Sequence, residues 1–294
     1  MGNRDRLERA KPFIYGNARL LDRKRFEYHF EGGSQEGVIE ALRAYQNPDG
    51  GFGNALEPDI RCPFSQPVPT EMALAIMDQI DYFDPRILEG INRFLRENTL
   101  REGGLPLAFR SVNDFPHAPW WKTKEDDRPS INPTGTIIGL LYKQNVLPEI
   151  VHEPYFIKSV ETIWRLMERE HPSGYHDGVQ WITFLQHTPE RERAASYWSV
   201  IDKWLRSSRA IEKNPHAEGY VHKVLDWAPD RESYARMFVT DEELNNHLQA
   251  LADQQQEDGG WPMNWLAVSP AGEQEWRAYI TVERLRTLRS YNIL

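Results

Sequence analysis

The amino-acid sequence predicts an all-α fold assembled from antiparallel helix pairs, and three observations carry that expectation. The stretch Gln46-Asn47-Pro48-Asp49-Gly50-Gly51-Phe52 returns near the other end as Gln255-Gln256-Glu257-Asp258-Gly259-Gly260-Trp261. An internal repeat of this kind marks a repeated supersecondary unit. Helical periodicity covers most of the chain, and no convincing strand pattern competes with it. The helices that lead into Gly-Gly turns, such as 153–170 and 240–255, are richly charged, whereas those that follow the turns are more apolar.

Each element has a local reason. Residues 4–28 carry a charged amphipathic helical pattern with Leu7, Phe13, Ile14, Leu20 and Leu21 as its apolar points. Gly32-Gly33-Ser34 breaks it, and Ser34 is a good N-cap for a helix over about 35–46. The first repeat then reverses the chain. Glycine reaches positive φ at little cost, Asp49 can accept turn amides, and the Gln46 amide can tie down free backbone ends of the next element. Residues 54–67 form an irregular loop stiffened by Pro58, Pro63 and Pro67. A helix starts near Pro69, and Met72, Ala73, Leu74, Ile76, Met77 and Ile80 make it apolar on nearly every side. Asp84-Pro85 opens another, to about Asn98.

From Gly103 to Ile131 runs a long connection holding Phe115-Pro116-His117-Ala118-Pro119-Trp120-Trp121, too aromatic for a disordered linker. Asn132-Pro133 then opens an apolar helix. Helices follow at about 153–170, 177–187, 190–210 and 217–227, Asp241 caps one through Gln254, and loop 262–275 leads into a closing helix over 276–290. The count is about eleven helices.

The two Gln-x-x-Asp-Gly-Gly-aromatic stretches resemble the QW-type repeats of the terpenoid cyclase and protein prenyltransferase superfamily. Gly103-Gly104-Leu105 and Ser173-Gly174-Tyr175 look like worn copies, and Trp276-Arg277 with Thr281-Val282-Glu283 resembles the helix that follows such a motif. The resemblance implies an α/α toroid: one domain over residues 1–294, with about six inner and five or six outer helices in a closed double ring. In such a ring the loops 53–67, 104–132, 173–177, 211–217 and 262–275 enter inner helices at one end and line a cavity mouth. Inner helix N-termini there favour anionic groups. The ligand it implies is a small molecule, largely apolar or carrying an anionic group.

The same resemblance supplies tests of activity. Cyclases of the squalene–hopene type protonate an alkene with an acid from an Asp-x-Asp-Asp-Thr motif. Ser130-Ile131-Asn132-Pro133-Thr134 stands in that place, and only Thr134 fits; Ser, Asn and Pro are not strong acids. Protein prenyltransferases hold zinc with Asp, Cys and His. Here the only thiol, Cys62, has Asp59 nearby and no His at ligand spacing, so no metal or other cofactor is expected and Cys62 reads as a small hydrophobe.

Composition narrows the field. The 294 residues are 40% hydrophobic and 27% charged, as in ordinary globular chains. The net charge, 35 − 44 = −9, argues against general nucleic-acid binding. One cysteine allows no internal disulfide, the charged segment 1–11 is no signal peptide, and no apolar run approaches a membrane span; a cytoplasmic protein is expected.

The candidate acid–base residues are Glu57, Asp59, His117 and His176. Glu57, Asp59, Gln66 and Glu71 gather three carboxylates and an amide at one loop and helix start. The plainer reading pairs Glu57 and Asp59 with Arg61 or with backbone amides. Gln66, Trp120, Trp121, Asn132, Trp265, Trp276 and Arg277 are the candidates for binding. The aromatics can wall a pocket or simply pack, and Arg277 can hold an anion or neutralise a carboxylate. Two function classes follow. One is an enzyme acting on an isoprenoid or other largely apolar substrate; its carbohydrate-acting variant rests on Gly259-Gly260-Trp261-Pro262, which resembles a fragment of certain pectate lyases. The other is a non-catalytic binding or scaffold protein that kept the fold without the acid.

Overall fold

A computed structural model describes residues 3–207 and 210–294; residues 1, 2, 208 and 209, the last two within the expected helix 190–210, lie outside the described residues. Among the described residues there are twelve α-helices, short 3-10 turns and isolated bridges, but no strand. The helices are α1 (Asn3–Asn17), α2 (Leu20–Phe30), α3 (Gln35–Arg43), α4 (Pro67–Gln79), α5 (Pro85–Asn98), α6 (Ile131–Lys143), α7 (Pro154–Arg169), α8 (Tyr175–His187), α9 (Arg191–Leu205), α10 (Val224–Trp227), α11 (Asp241–Asp253) and α12 (Pro270–Ser290). The chain falls into two compact units, one of residues up to Val38 with Lys203–Leu294, the other Ile39–Asp202. None of the described helices is long and apolar enough to cross a membrane.

In the unit Ile39–Asp202 the first repeat is a tight lock. Gln46 Nε2 donates to the carbonyls of Gly50 (3.0 Å) and of Ile87 in the first turn of α5 (3.2 Å). Asp49 accepts from Gly51 N (3.0 Å), and the Thr70 hydroxyl on α4 accepts from Phe52 N (3.1 Å). Gly50 sits at φ +92°, and a Cβ there would lie 2.0 Å from the Gly90 carbonyl oxygen, so no other residue fits. Gly51 packs against the Phe94 ring.

The second repeat, in the other unit, repeats this geometry contact for contact. Gln255 Nε2 donates to Gly259 O and Arg6 O (both 2.9 Å), Asp258 accepts from Gly260 N (3.0 Å), and Thr281 on α12 accepts from Trp261 N (3.0 Å). Gly259, at φ +93°, lies against Arg9 O, and Gly260 packs on Phe13. Arg6, Arg9 and Phe13 have the spacing of Ile87, Gly90 and Phe94. Thus α1 receives the second turn as α5 receives the first.

Gly103-Gly104-Leu105 is a true third copy. Gly103 has φ +99° and packs on Lys158 O of α7, Gly104 N donates to Ser159 Oγ (3.0 Å), and Leu105 N donates to Thr134 Oγ1 of α6 (3.0 Å). Thr99 stands where the glutamine belongs, and its hydroxyl is buried without a partner. Ser173-Gly174-Tyr175 is not a copy. Gly174 is extended (φ −174°), with no atom near where its Cβ would stand.

Other boundaries depart from expectation. The helical pattern over 4–28 is two helices, because the chain leaves α1 at Asn17, whose amide closes on Phe13 O (3.0 Å). α11 is capped by Thr240, not Asp241, through a capping box with Glu243. The helix expected over 217–227 is only α10. The closing helix begins at Pro270, capped by Ser269, so Trp276 and Arg277 lie in its second turn and not its first.

In the unit Ile39–Asp202, α6 packs on α4 and, most extensively, on α8. The second contact is close because Gly135 and Gly139, one turn apart, abut the α8 backbone; a Cβ on either would lie 2.8 Å from Gln180 O or Thr183 O. Replacing Gln46 or Gln255 by Ala leaves one carbonyl of a neighbouring helix without its donor, and each is expected to destabilise its own unit by about 1–3 kcal/mol. Chemical denaturation of the two variants measures this; unchanged midpoints would show that these amides are not ties.

Candidate functional site

The loops at 53–66 and 104–130 are stitched together. Ala118 N donates to Asp59 O and Arg61 N to Pro116 O (both 3.0 Å). Gln66 Nε2 donates to Ser111 Oγ (2.8 Å) and Gln66 Oε1 accepts from Phe109 N (2.9 Å). Ile60, Cys62, Ala108 and Val112 form the small apolar core beneath, with Phe115 and Trp121 packed against it. Gln66 and Cys62 are therefore parts of the stitch. Cys62 is buried, and among the described residues no group of three His, Cys, Asp or Glu side chains is placed to hold a metal.

Glu57 and Asp59 are both buried in this region. Burial holds the Glu57 carboxyl well above the usual range, and Asp59 beside it adds to the rise. The Trp121 indole and the backbone N–H groups of Asp59 and Ile60 oppose it. His117 is half-buried; its Nδ1 donates to Phe115 O at 2.7 Å, which fixes the proton on that nitrogen. Trp120 is 47% exposed and Trp121 half-buried. These residues do come together, but the arrangement is a loop seam with a buried acid inside it.

A second constellation in the same unit is built by α4, α6 and α8, and its centre is Glu71. The backbone N–H of Thr136 donates to Gln180 Oε1 (2.5 Å). A backbone N–H can only donate, so the Gln180 amide is oriented, and its Nε2 must donate to Glu71 Oε1 (2.6 Å) and Asn132 Oδ1 (3.3 Å). Glu71 keeps part of its surface open while protein surrounds the carboxyl. Burial pushes it up to about 7, opposed by the Gln180 amide and the Thr136 hydroxyl.

Glu71 belongs to a half-buried stripe of α4 with Val68, Met72 and Ala75 at helical spacing; Tyr175, Val179 and Ile182 make a similar stripe on α8. His176 is exposed on α8, one turn from Gln180. Asn132 was named from the sequence. Glu71 stands among the loop carboxylates that the sequence points to, while Gln180 and Thr136 are not legible there. The signal was available: Glu71 is a lone acid in an otherwise apolar helix stripe.

The remaining candidates lie in the other unit. Trp265 stacks edge-on against Trp276 (5.2 Å) and Tyr220 (6.0 Å), and Trp276 against Tyr279 (5.6 Å). Arg25, wholly buried and paired with Asp22 and Glu283, sits 4.4 Å over the Tyr279 ring. Arg277 is engaged by the second repeat: its Nη2 reaches both Asp258 oxygens (2.8 and 2.9 Å) and Gln256 Oε1 (2.6 Å), and its guanidinium covers Phe13 at 4.7 Å. It pairs with the aspartate of its own repeat turn.

No protein-family model matches the chain, and no curated protein matches it. The chemistry of the site therefore stands on its own geometry.

Glu71 predicts a pH signature of stability. Its carboxyl titrates near 7 when folded and at an ordinary value near 4.5 when unfolded, so between these values the folded chain retains a proton that the unfolded chain has lost. Stability conferred by this group falls as pH rises through that window and is lost above it. Glu71→Gln keeps the acceptor for Gln180 and removes the charge. It is expected to stabilise the protein by about 1–3 kcal/mol at pH 8 and to leave it unchanged at pH 4. Thermal unfolding of both proteins across pH 4–8 (about 3 to 9 for baselines) checks the sign.

Proposed function

We propose that the chain is a single α/α-toroid domain of the terpenoid cyclase and prenyltransferase kind. Its function on this reading is acid–base catalysis on an isoprenoid or other largely apolar small molecule, centred on Glu71. The observation that carries the catalytic reading is the placement of the Glu71 carboxyl in a half-buried apolar stripe with the Gln180 amide bonded to it at 2.6 Å, a setting that pushes it up to about 7. A group that titrates near neutrality can both take and return a proton at working pH. The apolar stripes of α4 and α8 support a substrate with little polar surface. Support for the ring comes from three turns of one geometry, two locking onto later helices, α5 and α7, and the turn near the end of the chain locking back onto α1. A cytoplasmic location completes the reading.

The reading excludes squalene cyclisation begun by protonation. Ser130, Asn132 and Pro133 offer no strong acid, and the Thr134 hydroxyl is engaged with both backbone groups of Leu105. One observation favours a non-catalytic binding protein instead: Gln66, His117 and Arg277 are all engaged in holding loops and turns. Incubation with geranylgeraniol, geranylgeranyl diphosphate and squalene, followed by product analysis, separates the readings. Turnover of an isoprenoid that rises with pH through about 7 and disappears in Glu71→Gln is expected, with no product from squalene. Turnover indifferent to Glu71→Gln, or hopene-like products from squalene, would overturn the proposal, and binding without turnover would establish the binding-protein reading.

A further inference from the structure

The orientation of the amides around Glu71 says what kind of polar group the site takes; this inference rests on the acid–base reading above. Gln180 Nε2 donates to Asn132 Oδ1, so the other end of the Asn132 side chain, its Nδ2 with two N–H donors, is turned away from Gln180. Among the described residues no hydrogen bond engages that nitrogen, and Asn132 is half-buried. The Thr136 hydroxyl, on a residue 6% exposed, also has no hydrogen-bond partner, although it lies close enough to the Glu71 carboxyl to affect its titration. A buried hydroxyl left unsatisfied is costly, and this one faces the carboxyl whose protonation is at issue. Two donors and one ionisable acceptor thus meet at the edge of an apolar stripe.

Among the described residues no cation contributes to the Glu71 shift. Burial, Gln180 and Thr136 account for the Glu71 shift, and Arg277, the residue expected to receive an anion, is engaged with Asp258. A diphosphate or carboxylate brought beside Glu71 would meet a like charge with no counter-charge from Gln180, Asn132 or Thr136. A hydroxyl or carbonyl oxygen suits the same groups: it accepts from Asn132 Nδ2 and Thr136 Oγ1, and a hydroxyl also donates to Glu71. The half-buried Met72 and Ala75 beside Glu71 on α4 suit a hydrocarbon body and not a sugar, which carries a hydroxyl on nearly every carbon.

We propose that Glu71, Asn132 and Thr136 form a binding site for the single neutral oxygen head, a hydroxyl or carbonyl, of an otherwise apolar chain. Isothermal titration of the full chain at pH 8, where Glu71 is ionised, with farnesol, farnesene, farnesyl diphosphate and glucose tests it. Farnesol should bind about 10-fold more tightly than farnesene, and farnesyl diphosphate and glucose more weakly than farnesol. Thr136→Val, which removes an unpaired hydroxyl at almost constant shape, and Asn132→Ala should each bring farnesol down toward the farnesene value. Thr136→Val keeps the test sound if Asn132→Ala fails to fold. Equal affinity for farnesol and farnesene, a preference for the diphosphate, or indifference to Thr136→Val would overturn this inference while leaving the apolar acid–base reading standing. No binding of any isoprenoid probe would overturn both.

Discussion

The structure depends on one contact, repeated three times: a glycine at positive φ pressed against a carbonyl oxygen of another helix. Gly50 meets Gly90 O, Gly103 meets Lys158 O and Gly259 meets Arg9 O, each so closely that a Cβ would stand about 2 Å from the oxygen. The approach places the turn where its other bonds form. The turn aspartate accepts from the second glycine in two copies, and a threonine on the following helix accepts from the next residue in all three. With the glutamine amide bridging its own turn to the carbonyl of that other helix in two copies, the lock has no freedom left in helix spacing. Charged surface residues play little part, since exposed ion pairs are worth a fraction of a buried tie.

The Glu71 constellation shows the same economy of backbone space applied to chemistry. Gly135 and Gly139 let α6 and α8 come together until Gln180 reaches the Thr136 N–H. That bond orients the Gln180 amide, which in turn holds both Glu71 and Asn132. A larger residue at 135 would separate the helices and release the amide, leaving the carboxyl buried but unoriented. The position of the acid is thus set by a residue type that carries no chemistry.

The helices were legible because their punctuation is local: Asp84-Pro85 does cap α5, and both Gly-Gly stretches do close as lock turns. The third turn was legible only from its glycines, since Thr99 replaces the glutamine, and the same weak signal at Ser173-Gly174 was false. A glycine pair states that a turn is permitted; only the partner carbonyl, 55 residues away at Lys158 in the true case, states that the lock exists. The site was less legible for a related reason. Loop position singled out Glu57, Asp59, Gln66 and His117, which do meet, but chiefly to join two loops. Glu71 and Gln180 lie within helices 109 residues apart, and nothing local announces that they share a hydrogen bond.

Thr134 belongs both to the lock and to the segment that resembles the acid motif. It is the one residue of Ser130-Ile131-Asn132-Pro133-Thr134 that fits the acid motif of the squalene–hopene cyclases, yet Thr70 and Thr281 take the same bond from the other two turns. A threonine at this position therefore serves the lock itself, whatever reaction the chain performs. Its hydroxyl is taken up by the Leu105 backbone. The carboxyl linked to this segment is not in it but on α4, and it reaches Asn132 of α6 through the Gln180 amide. Divergence in a repeat scaffold can proceed in just this way: the lock residues are constrained by backbone geometry, while a half-buried stripe next to them is free to acquire an acid, a donor and a ligand of its own.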